Sequence, residues 1–178
     1  MDTINGIRVD HLGRFLMKID DDLYRVQDVP GDGNCFFHAL CCHPSLSTSY
    51  DHSLLRNGLC DYLDTIIREG GDMEKVLFRL HCNNVRSDRQ VRSDFHKAVG
   101  DLRTPRNWCG DKEAIYMMLW KNLKIDIVGA NPFESSRETE NRFIITQSHH
   151  EMSELHKISA DLLPSENAPV IKLLIHKR

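Results

Sequence analysis

No stretch of the 178 residues stays apolar long enough to span a bilayer, and the opening Met1-Asp2-Thr3 leads into no hydrophobic run of the kind a secretory leader carries. A membrane partner is therefore not expected, and a reducing, cytosolic compartment is. The six cysteines include no Cys-x-x-Cys pair. Potential ligands cluster only as sequence neighbours, in Cys41-Cys42-His43 and His81-Cys82, and adjacent residues rarely share one metal, so no metal and no organic cofactor is expected. Basic residues form no stripe: 23 Lys and Arg are scattered among 26 Asp and Glu for a net charge of -3, which gives no reason to expect nucleic acid or phosphate as a partner. Internal repeats, low-complexity tracts and linkers are also lacking. The length suits a single domain over 1–178 with a sizeable core, taken as a monomer.

What is present is one dense segment, Pro30-Gly31-Asp32-Gly33-Asn34-Cys35-Phe36-Phe37-His38-Ala39-Leu40. Two glycines around an aspartate permit a tight turn with positive φ, and Phe36, Phe37, Ala39 and Leu40 read as the first turns of a buried helix. Cys35 then stands at a helix N-terminus, where the dipole favours thiolate and free backbone N–H groups can receive an oxyanion. The plain alternative is a small core cysteine beside a turn. Core packing alone, however, asks for no Gly-Asp-Gly-Asn ahead of a thiol.

At these residues the chain resembles the ovarian-tumour (OTU) family of cysteine deubiquitinases, whose signature is Asp-Gly-Asn-Cys followed by two large apolar or aromatic residues. More loosely, His52-x-x-Leu55-Arg56 is similar to the family's segment after the nucleophile helix. Trp108-Cys109-Gly110-Asp111-Lys112-Glu113 is similar to its Trp-Gly element, and Ile125-Asp126-Ile127-Val128 to its central strand. Together these cover Leu23 to Val128. The resemblance implies an OTU-like cysteine protease fold, with helices packed on a small central β-sheet, and a ubiquitin or polyubiquitin partner. Asp32 is expected to bond backbone N–H groups of its turn, and the resemblance adds that it shapes the oxyanion pocket or assists the catalytic pair. Phe36 N–H and the turn amides around Asp32 and Gly33 are the expected oxyanion donors. His38, one turn beyond Cys35, is too near in sequence to be the usual base and is expected to line the cleft, with Trp108 as cleft wall or core.

Helical spacing predicts Ser53–Glu69, stopped by Gly70-Gly71, with Leu54, Leu55, Leu59, Tyr62, Leu63, Ile66 and Ile67 inward. It predicts further helices over Asp72–Cys82, Arg89–Leu102 and from Asp111 onward. Ile125–Val128, Arg142–Gln147 and Val170–His176, rich in β-branched residues, read as strands, and Asn131–Asn141 and Leu162–Pro169 as polar loops. A helical half followed by strands gives an α+β class.

A nucleophilic thiol needs a histidine to take its proton. The family's base lies after the C-terminal strand as His-aromatic-Asp or Asn, and no such element follows Val170-Ile171-Lys172-Leu173-Leu174-Ile175. Four arrangements stay open. In a circularly permuted fold, the N-terminal segment Gly6–Leu12 supplies the next strand and His11 is the base, with Asp10 or Asn5 replacing the usual orienting residue, since Leu12 and Gly13 occupy its place. Alternatively, Arg142-Phe143-Ile144-Ile145 is the penultimate strand and His149 or His150 serves. His176 is the third choice. In the fourth, the chain is cut short or inactive.

The expected activity is hydrolysis of ubiquitin–lysine isopeptide bonds by Cys35, His11 and Asp32. Two rivals are a ubiquitin-binding OTU-like module that has lost its base and a viral polyprotein protease. A bacterial-effector or viral origin, acting in a host cytosol, fits a permuted or divergent domain.

Overall fold

Apolar spacing and end signals account for the helical middle of the chain. The computed structural model describes residues 3–4, 7–9, 15–19, 22–27, 29–81, 87–107, 109, 111–130, 142–144 and 165–176. After the short helices α1 (Cys35–Leu40) and α2 (Pro44–Ser47) comes the long α3 (His52–Glu69). Asp51 caps it by accepting from Leu54 N at 2.8 Å, and Gly70 ends it at φ 66°, a conformation that costs glycine nothing. Its inner face is Leu55, Arg56, Leu59, Cys60, Leu63 and Ile66. Leu54, expected inward, is 57 % exposed, because one residue is about 100° of rotation on a helix and Leu55 takes the inward direction.

Helices α4 (Asp72–His81) and α5 (Asp88–Leu102) pack against each other, and Ser87 caps α5 through Gln90 N. Val91, Phe95, Val99 and Leu102 bury one stripe of α5, which otherwise faces water. In α6 (Asp111–Lys121) the buried run Ala114 to Met118 has no polar side, so this helix lies inside the core. Trp120 near its end lies over Gly58 of α3, where a Cβ would meet the indole at 2.5 Å. Glycine at that position lets the two helices close.

Strand β5 (Lys124–Ala130) is central in a three-stranded sheet, antiparallel to β6 (Arg142–Ile144) and parallel to β7 (Val170–His176). The parallel register sets Asp126 opposite Lys172, whose ammonium reaches the largely buried carboxylate at 2.8 Å. Helix α6 packs on β5 and α1 on β7. The class is α+β, as the order of elements implied.

The N-terminal part corrects an expectation. Strands β1 (Thr3–Ile4), β2 (Ile7–Val9), β3 (Phe15–Ile19) and β4 (Asp22–Val26) form an antiparallel meander of their own. The permuted arrangement needs Gly6–Leu12 beside the C-terminal strand. Ile7–Val9 instead pairs on one edge with Thr3–Ile4 and on the other with Phe15–Ile19, so neither edge is left to join β7. His11, proposed as base on that topology, lies outside the described residues, as do His149, His150, Trp108, Ile145–Gln147 and the loop 131–141.

Candidate active site

The turn ahead of α1 is fixed from several directions. Gly33 adopts φ +85°, and a Cβ there would stand 2.2 Å from the Pro105 carbonyl oxygen, so both conformation and space demand glycine. Asp32 Oδ1 accepts from Asn34 N at 2.9 Å, the local side-chain-to-backbone bond expected of an aspartate in a turn. Cys35 is the first residue of α1, and the first helical turn closes through His38 N donating to Asn34 O at 2.9 Å. Phe37 and Leu40 are wholly buried and anchor this short helix, leaving Cys35 half-buried at its head.

Asn34 is a residue type that usually caps a helix through its side chain, yet it makes no such bond here. Its Oδ1 accepts instead from Nε of Arg56 at 3.0 Å. The N–H groups of Cys35, Phe36 and Phe37, at the head of α1, are therefore left without a side-chain cap. The amide of Asn34 is already committed to Asp32, which removes it from the possible oxyanion donors.

Arg56 is 2 % exposed, and every one of its five N–H groups has an oxygen to meet. Nε goes to Asn34; Nη1 donates to the carbonyls of Leu102 at 2.6 Å and Thr104 at 3.1 Å; Nη2 donates to Gly33 O at 2.8 Å, with Asn107 O and Pro105 O at 3.4 and 3.5 Å beyond. Its guanidinium also lies 4.6 Å from the centre of the Phe37 ring. One buried cation thus joins α3, the turn before Cys35 and the segment after α5.

His38 turns back toward the same turn. Its Nε2 is 3.1 Å from Asp32 Oδ2, and its ring stacks on His52 with centroids 3.9 Å apart. The Asn34 amide first, and His38 second, hold the Asp32 carboxyl below its ordinary range, so Asp32 stays ionised through mildly acidic pH. Burial pushes Cys109 up to about 12, helped by the charges of Glu113 and Cys35 and opposed by Arg56. It likewise pushes Cys60 up to about 11 and raises Cys41 and Cys42. These four remain protonated at neutral pH and are poor nucleophiles.

Asp32 and His38 are brought together, with His52 added, beside the turn that leads into Cys35 at the head of α1. Among the described residues no histidine side chain is hydrogen-bonded to the Cys35 thiol. His176 ends β7, the strand beside α1. Two site features were not anticipated, the roles of Arg56 and of the Asn34 side chain; their only signal was the placement of His52-x-x-Leu55-Arg56 soon after the cysteine. Among the described residues no three His, Cys, Asp or Glu side chains converge as metal ligands do, and no helix is long and apolar enough to cross a membrane. No family model matches the chain, and no curated protein matches it.

Proposed function

We propose that this chain is a cysteine isopeptidase of the ovarian-tumour kind, acting on ubiquitin or polyubiquitin in the cytosol. The observation that carries the reading is Cys35 at the head of a buried helix, behind an Asp32-Gly33-Asn34 turn whose backbone is bonded from both sides. In the proposed reaction the Cys35 thiolate adds to the carbonyl carbon of ubiquitin's C-terminal glycine. The uncapped amides of Cys35 and Phe36 receive the oxyanion, and the C–N bond breaks as a histidinium gives its proton to the departing lysine amine. Water then adds to the thioester, releasing the ubiquitin carboxylate and restoring the thiol. Asp32 shapes the turn and stays ionised throughout.

The base is sought among His176, His149, His150 and His11. His176 is favoured by one observation, the packing of its strand against α1. A second reading is a ubiquitin-binding module without hydrolysis. Cleavage of a fluorogenic ubiquitin C-terminal amide by the wild type separates the two. Turnover abolished by Cys35→Ala and by one histidine-to-alanine change supports the isopeptidase and identifies its base. Ubiquitin binding without turnover supports the module. Neither binding nor turnover removes both readings.

A further inference from the structure

We propose that Arg56 is the positioning residue of this site: its buried guanidinium holds the Gly33 carbonyl and the Asn34 side chain, and so sets where Cys35 stands. The inference rests on the reading of Cys35 as nucleophile. The peptide unit joining Gly33 to Asn34 is pinned at both ends, its C=O by Arg56 Nη2 at 2.8 Å and its N–H by Asp32 Oδ1 at 2.9 Å. That unit immediately precedes the residue that opens α1. Nη1 ties the same guanidinium to the carbonyls of Leu102 and Thr104, so the turn is referenced to the end of α5 and cannot shift without breaking bonds on both sides.

Two features separate this from a bond made for stability alone. Among the described residues no carboxylate meets Arg56, although a carboxylate is the ordinary partner of a buried cation. The bond to Asn34 Oδ1 also takes from α1 the side-chain cap that asparagine would otherwise supply, which lowers helix stability and leaves the amides beside Cys35 open. Only a planar fork reaches all of these oxygens at once. Lysine, with three donors on one nitrogen, keeps the charge and loses the geometry.

The test compares wild type, Arg56→Lys and Asn34→Ala, each shown to be folded by a cooperative melt and assayed well below its midpoint. Turnover of the fluorogenic ubiquitin amide is resolved into kcat and KM. Independently, alkylation of Cys35 by iodoacetamide is followed by peptide mapping, with exposed Cys42 as internal reference. For Arg56→Lys the expected result is a kcat lower by about tenfold at unchanged KM, and for Asn34→Ala, which removes one of the bonds, a fall of about threefold. Wild-type kcat in folded Arg56→Lys, or a change confined to KM, overturns the proposal. If the wild type does not turn over, the isopeptidase reading fails and the alkylation ratio decides Arg56 alone: a Cys35-to-Cys42 ratio moved about threefold or more supports positioning. An unmoved ratio rejects it. If Arg56→Lys does not fold, the same outcomes are read from Asn34→Ala.

Discussion

Arg56 and Glu74 carry opposite charges, each is only 2 % exposed, and the protein accommodates them in opposite ways. Arg56, on α3, is surrounded by neutral oxygens: the carbonyls of Gly33, Leu102 and Thr104 and the Asn34 amide. Glu74, on α4, is met by charge or potential charge from α5. Arg92 donates to it through Nε and Nη2, and His96 Nε2 lies 3.0 Å from Oε1. The first arrangement is a fixed clamp, because a guanidinium does not titrate and carbonyls do not ionise. The second is a helix-to-helix tie that holds only while the carboxylate is charged. The clamp lies at the candidate active site, and the titratable tie lies away from it.

Removing the clamp has the largest expected effect. Arg56→Ala strands buried oxygens on two segments, the turn before Cys35 and the stretch from the end of α5, and is expected to cost about 3–5 kcal/mol in urea unfolding. A loss below about 1 kcal/mol would mean that water replaces the guanidinium freely, and the clamp would lose its meaning. Glu74→Gln keeps the shape and removes the charge. Its expected cost at neutral pH is smaller, about 1–3 kcal/mol.

Acid sharpens the contrast. Burial pushes the Glu74 carboxyl up, but the bonds and charges of Arg92 and His96 outweigh it and hold the carboxyl below its ordinary value of 4.5. A depressed carboxyl stabilises the fold above its unfolded pKa, and that contribution disappears as pH falls through the folded value. Stability curves of wild type and Glu74→Gln should therefore converge as pH is lowered from 5 toward 3, whereas the Arg56→Ala deficit persists over the same range. Convergence of both pairs would erase the distinction. The smallest effect is expected where charge is not buried at all. Arg103 donates to Asp61 and Asp64 at the surface, and Arg103→Ala should cost about 0.2–1 kcal/mol and respond to salt.

Glu74 and Arg56 also mark where reading a sequence stops. The helices were legible because apolar residues recur every three or four positions, and Gly70 marks the end of α3. The turn at Asp32 was legible because its bond to Asn34 spans two residues. Arg56 was not, since an arginine beside apolar neighbours reads by default as a surface residue and its oxygens come from positions 22 and 23 residues before it and 46 to 51 residues after it. The His38–Asp32 contact depends on α1 turning the imidazole back over the loop, which no spacing rule supplies. The N-terminal meander escaped for another reason: strands of two to five residues carry too little alternation, and the segment Gly6–Leu12 gives no sign of which strands it joins.

The central claim is that Cys35, held at the head of α1, is a ubiquitin-directed nucleophile. Incubating the protein with ubiquitin bearing a C-terminal thiol-reactive warhead and mapping the adduct by mass spectrometry tests it most directly. One adduct is expected, on Cys35, abolished by Cys35→Ala. An adduct on Cys42 or Cys109, or none on folded wild type, would contradict it.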